Sequence, residues 1–181
     1  LPERVRDDKN VVLNIVNGMP KNGRRRKNKP APLQLQYASD DLKADRDVVM
    51  AAVKKSGRAL EYASTALKDD REIVMEAVKQ DGRALEFASA HLKADREIVM
   101  EAVKQYGSAL EFASAHLKVD REIVMEAVKQ DGWALRYAAT ALQGDQEVVL
   151  IAVKQNKDIF KLISEELQQD QVIRQAAGVD L

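Results

Sequence analysis

Apolar residues pair along this chain in a fixed rhythm of i, i+1, i+4 and i+5. Ile73 and Val74 are followed by Ala77 and Val78, and Val11 and Val12 by Ile15 and Val16. On a wheel of 100° per residue the first set falls within about 140°, with Glu72, Glu76, Lys79 and Gln80 opposite, so 71–80 is predicted as a helix with one buried face. Asp70 precedes it as an N-cap, its carboxylate placed to accept from the free N–H groups of the first turn. Glu72 and Lys79 complement the helix dipole at its two ends. Gly82 is expected to supply the left-handed residue that stops the helix. A second helix is predicted over 83–92, RALEFASAHL, where Phe87, His91, Ala84, Ala88, Leu92 and Leu85 spread over about 160°. That wider apolar arc predicts a deeper helix packed on both neighbours.

The rhythm is a repeat. REIVMEAVKQ occurs at 71–80, 96–105 and 121–130, and Asp45, Asp70, Asp95, Asp120, Asp145 and Asp170 stand 25 apart. Gly57, Gly82, Gly107 and Gly132 keep the same step, and the units starting at Asp70 and Asp95 differ only at 81/106, 83/108 and 94/119. The expected organisation is a single array over 1–181: a first unit at 8–42 with a basic insertion at 19–32, then units at 45–69, 70–94, 95–119, 120–144 and 145–169, and a terminal helix from 170. Helices of ten residues are marginal alone, so each unit must bury its face against the next. The fold class this predicts is all-α: an elongated α-solenoid of tandem 25-residue two-helix repeats.

Composition changes this picture little. The 29 Lys and Arg balance 29 Asp and Glu, and there is no Cys, which removes disulfide and thiol chemistry and is compatible with a reducing compartment. The longest apolar runs, such as VVMAAV at 48–53, are far short of the ~20 residues of a spanning helix, so no transmembrane segment is expected. The chain opens at Leu1 and ends within a repeat, the expectation for a piece of a longer protein.

The Asp-Arg-Glu start, the apolar pair, Ala-Val-Lys-Gln, the Gly and Ala-Leu-Glu-Phe/Tyr-Ala-Ser together resemble a helical repeat family, domain of unknown function 4116, over roughly 33–170. The resemblance implies the helical repeat fold and the setting of a secreted effector of intracellular bacteria, acting in a host cytosol. It carries no established activity and transfers no functional residue.

Two stretches are candidates for binding. The insertion MPKNGRRRKNKPAP holds Lys21, Arg24, Arg25, Arg26, Lys27 and Lys29 with no acid among them, which leaves the rest of the chain net acidic. Arginine forks fit phosphate oxygens, so nucleic acid or a phosphoinositide headgroup is the ligand class this loop suits. The bland alternative is a solvated loop. The second candidate is the edge around the turn glycines, where Arg58, Arg83, Tyr106 and Trp133 mark positions that change between otherwise matching units. Tyr and Trp are residue types favoured at interface hot spots. His91 and His116 share a register in successive units, where they are expected to pack between repeats rather than to bind metal. Ser89 and Ser114 are expected on the buried side of their helices.

No catalytic constellation, metal site or cofactor motif is read from the sequence. The expected function is a non-enzymatic scaffold that presents an extended surface to another protein, within a larger secreted effector. Its rivals are a phosphate-directed binder acting through the 21–29 loop and an accessory arm of a larger enzyme. Weak self-association through the last repeat is a further expectation.

Overall fold

A computed structural model describes residues 7–17 and 35–179. The chain forms two compact units, 1–92 and 93–181. Among the described residues all regular structure is helical. In the first unit α1 spans Lys9–Asn17, α2 Asp40–Lys43, α3 Arg46–Lys55 and α4 Arg71–Gln80. In the second, α5 spans Arg96–Gln105, α6 Arg121–Gln130, α7 Thr140–Gln143, α8 Gln146–Gln155, α9 Glu165–Gln168 and α10 Gln171–Ala177. Within each unit the helices that follow a capping aspartate pack side by side in succession: α1, α3 and α4 in one, α5, α6, α8 and α10 in the other.

The predicted apolar faces are the buried ones. Ile73, Val74, Ala77 and Val78 are all fully buried, as are Ile123, Val124, Ala127 and Val128. Each Ile or Val removed from water in this way contributes roughly 1.5–3 kcal/mol. The Asp caps form as expected. Asp70 Oδ1 accepts from the N–H groups of Glu72 (3.0 Å) and Ile73 (3.1 Å), and Asp45, Asp95, Asp120, Asp145 and Asp170 do the same in their own helices. Asp8 accepts from Asn10 and Val11, which places α1 as the first helix of the same kind.

The second element of the repeat differs from expectation. The stretch expected as one α-helix over 83–92 is a 3-10 helix, Gly82–Phe87, followed by an extended break at Ala88 (φ −65°, ψ 155°) and a short turn at Leu92–Ala94. The break has a cause in the array. The Ser89 N–H donates to Lys68 O of the preceding repeat (2.9 Å), so it cannot continue a helical ladder, and Ser64 does the same to Lys43 O. Ser114 and Ala139 repeat the bond in the second unit, to Lys93 O and Lys118 O. The Ser89 hydroxyl donates to Asp69, while its oxygen accepts from the Leu92 N–H at 3.2 Å and shapes the following turn. These serines are therefore half-buried structural pins rather than core residues.

The glycines also serve a different purpose. The residues that end the helices are Ser56, Asp81, Tyr106 and Asp131, all in extended backbone, and the one described glycine with positive φ is Gly178. Gly57, Gly107 and Gly132 are needed because the next repeat lies against them. A Cβ built on Gly132 would stand 2.6 Å from Ala152 O, and on Gly57 and Gly107 it would come closer still to Ala77 O and Ala127 O. Lys157 takes the glycine position in the last repeat, where the following helix, α10, ends at Ala177 with a left-handed Gly178.

His91 and His116 also depart from expectation. Both are exposed: His91 keeps 82% of its side chain in solvent near Asp69, and His116 Nδ1 lies 3.1 Å from Ser114 Oγ. Both stand beyond the extended break, so the helical wheel that put them on the apolar arc no longer applies.

Candidate functional site

Successive caps are tied together by a cation ladder. In the first unit Lys9 Nζ reaches Asp45 Oδ2 (2.7 Å) and Asp47 (3.1 Å), and Arg46 reaches Asp70 Oδ2 (2.9 Å) and Glu72. In the second, Arg96 reaches Asp120 (2.9 Å) and Glu122, Arg121 reaches Asp145 (3.3 Å) and Glu147, and Gln146 donates to Asp170 (2.5 Å). One carboxylate oxygen of Asp45, Asp70, Asp120, Asp145 and Asp170 caps its own helix, and the other receives the preceding repeat. Asp45 is held below its ordinary value first by Lys9, and Asp145 first by the Val148 N–H. At Asp70 and Asp120 burial acts in the opposite direction, but it is outweighed by the cap N–H groups together with Arg46 and Arg96. This ladder accounts as structure for the Asp-Arg-Glu that opens the units at 70, 95 and 120 and for its variants at 45 and 145. Its sequence signal is the 24- and 26-residue offset from each Arg to the next Asp and Glu.

The four residues expected at a binding edge are divided between the units. Arg58 and Arg83 lie in the first, both exposed, with Arg83 Nε 3.4 Å from Asp81 Oδ1. Tyr106 and Trp133 lie in the second, both half-buried. The register is not uniformly a surface. Ser108, equivalent to Arg83, is 6% exposed and donates through its hydroxyl to Asp131 Oδ2 at 2.7 Å. The anion-binding candidates Arg24, Arg25, Arg26, Lys27 and Lys29 lie outside the described residues.

Trp133 has a setting of its own. It lines an open groove of about 380 Å³ between the repeats at 120–144 and 145–169, together with Leu135, Arg136, Ile159, Leu162 and Ile163. Leu162 stands 64% exposed, the most exposed of the described large apolar side chains. Side-chain amides brace the surrounding backbone. Gln143 Nε2 donates to Ala138 O (2.9 Å) and Arg136 O (3.1 Å), and Gln168 Nε2 donates to Ile163 O (3.1 Å). The Trp133 N–H is held by Asp131 Oδ1 at 3.0 Å. Arg136 lies 4.6 Å above the Tyr137 ring and donates to its hydroxyl.

Arg136, Leu162 and Ile163 were not singled out by the sequence reading, although a signal was there. The register holding Glu61, Glu86 and Glu111 changes to Arg136 and Lys161, and the aromatic register of Tyr62, Phe87, Phe112 and Tyr137 changes to Leu162.

Among the described residues no helix is long and apolar enough to cross a membrane. No curated protein and no solved structure matches the chain. The family model described as domain of unknown function, DUF4116, matches in three tandem copies, at residues 26–68, 70–118 and 120–168, the last two beginning at the capping aspartates that open the repeats. Those two starts stand 50 residues apart, two of the 25-residue steps, and the chain belongs to the DUF4116 family.

Proposed function

We propose that the chain is a non-enzymatic helical-repeat module that binds another protein, within a larger secreted effector. The observation that carries this reading is the division of labour inside the repeat. Constant residues are consumed by caps, ladder and core, whereas Trp133, at a position that varies between repeats, lines an open groove beside exposed Leu162. Half-exposed aromatic and aliphatic side chains on a braced backbone are the material of interface hot spots. In repeat arrays a fixed framework with changing surface residues is the means by which a binding face is tuned. The effector setting rests on the family resemblance alone.

The test is selection of a displayed library of folded protein fragments on the immobilised chain. It is repeated on a variant carrying Arg58→Ala, Arg83→Ala, Tyr106→Ala and Trp133→Ala, whose fold is checked by circular dichroism. The expected result is clones with micromolar affinity that the variant loses. Clones indifferent to all four substitutions, or turnover by the purified chain in a broad hydrolase panel, would overturn the reading.

A further inference from the structure

The groove beside Trp133 combines three features whose joint chemistry specifies an occupant more narrowly than "another protein". The first is apolar surface: Trp133 shares the lining with Ile159, Leu162 and Ile163, and Leu162 is 64% exposed. The second is charge. Arg136 is the one charged residue lining the groove, it is exposed, and among the described residues no carboxylate pairs with it. The contrast with the next repeat explains why. Lys161, at the equivalent position, is neutralised by Asp158 at 3.1 Å, three residues earlier, whereas the residue three before Arg136 is Trp133 itself. The third is rigidity: the Gln143 and Gln168 amides and the Asp131 turn fix the backbone around the groove, so little ordering is left for binding.

A guanidinium laid over a tyrosine ring keeps its outward N–H donors available for a bidentate carboxylate. The groove is thus complementary to an apolar side chain with a negative charge close by. From this geometry we infer that the groove takes a segment of a partner protein that carries a large apolar residue within a few positions of an Asp or Glu. The apolar side chain enters between Trp133 and Leu162, and the carboxylate pairs with Arg136. The inference rests on the protein-binding reading above and names the chemistry of the partner at one place.

The chain contains a single Trp, so its fluorescence reports this groove directly. A random 12-residue displayed peptide library is panned on the immobilised full chain, and the best clone is synthesised and titrated while Trp133 emission is followed. The expected result is enrichment of peptides pairing Leu, Ile, Met or Phe with Asp or Glu, and a saturable shift in emission. Arg136→Glu should weaken that peptide by about tenfold or more, as should Leu162→Ser, the scale expected of hot-spot residues. Panning on the Arg136→Glu variant should enrich basic peptides instead. Both substitutions are at exposed positions, and their helical circular dichroism is compared with the parent.

Enriched peptides without acidic residues, or binding that leaves Trp133 emission unmoved and survives both substitutions, would overturn the groove assignment. In that case fragments captured in the folded-fragment selection would still leave the module reading standing. Failure of the fragment selection alongside a peptide that obeys the charge swap would have the opposite meaning, a peptide site without a wider protein-binding face. An emission shift produced by phosphatidylserine vesicles but by no peptide would reassign the groove to a lipid surface. A concentration-dependent sedimentation change abolished by Arg136→Glu would reassign it to a second copy of the chain.

Discussion

The turn glycines permit a test in which the sign of the effect separates two explanations. Gly132 is not in left-handed backbone, so replacing it by Ala removes no special φ; by chain entropy alone the change would stabilise by about 0.4–1 kcal/mol. Its Cβ, however, would stand 2.6 Å from Ala152 O, a backbone atom in the last turn of α8 that no rotamer change can move. Restoring ordinary contact requires α8 to retreat by most of an ångström from the 3-10 helix Gly132–Tyr137. Overpacking of this kind costs about 1–3 kcal/mol, which leaves Gly132→Ala net destabilising by about 1–2 kcal/mol. Gly144 is the control. Its φ is −97° and its Cβ would meet nothing nearer than 3.8 Å, so Gly144→Ala should stabilise by about 0.4–1 kcal/mol. Gly178, at φ 74°, represents the left-handed case, where Ala should cost about 1–2 kcal/mol. Urea unfolding is followed by circular dichroism and by Trp133 emission, the latter reporting the repeat that holds Gly132. A Gly132→Ala variant as stable as the parent, or a Gly144→Ala variant equally damaged, would refute the steric account.

Other expectations follow from the ladder and the core. Asp145→Ala removes the acceptor for Glu147 and Val148 N–H and the partner of Arg121, and should cost about 1–2 kcal/mol in urea; Asp145→Asn keeps a capping oxygen and should cost less. Arg121→Met removes the solvent-accessible ion pairs to Asp145 and Glu147 and should change stability by no more than about 1 kcal/mol. Leu110→Ala, at a fully buried position, should cost about 2–5 kcal/mol in the same assay. Asp45, Asp70, Asp120 and Asp145 sit below their ordinary value of 3.8 in the folded chain. Because the unfolded chain protonates first, the stability they contribute is complete above that value and is lost as pH falls through the lowered folded values. Urea midpoints should therefore hold from pH 7 to about 5 and fall below pH 4, less steeply in Asp145→Asn.

How much of this fold is legible in its sequence depends on the range of the forces involved. Caps and buried faces were legible because Asp70 and Ile73-Val74-Ala77-Val78 act within one helix, where local geometry is known in advance. The 83–92 stretch was misread because its form is decided by the neighbouring repeat: the Ser89 N–H is taken by Lys68 O, and no wheel drawn on a single segment contains that bond. The glycines were assigned to the right positions with the wrong reason, since their constraint is the carbonyl of a helix about twenty residues ahead. His91 and His116 followed from the same error, because a wheel continued through an extended break assigns faces that do not exist. At the candidate site Trp133 was found by its type, while Arg136 and Leu162 required knowing which residues meet across two repeats.

That contrast bears on where function can reside in a repeat chain of this kind. A position bound into the ladder, such as Asp120 with its cap and its Arg96 partner, cannot change without loosening two repeats at once. A position such as 136 supports nothing beyond its own repeat, so Glu61, Glu86 and Glu111 can become Arg136 at little cost to the fold. Identity between units therefore marks the parts that hold the array together, whereas departures are of two kinds: Trp133 and Arg136 line an open groove, and Ser108 is built into the packing through Asp131. Three departures in the second unit line one groove: Trp133 for Arg or Ser, Arg136 for Glu and Leu162 for an aromatic residue. A direct consequence is that restoring the repeat consensus, with Trp133→Arg, Arg136→Glu and Leu162→Phe together, should leave the urea midpoint within about 1 kcal/mol of the parent. It should abolish binding by groove-selected peptides. A large loss of stability in that triple variant would show instead that the three residues were fitted to one another for packing.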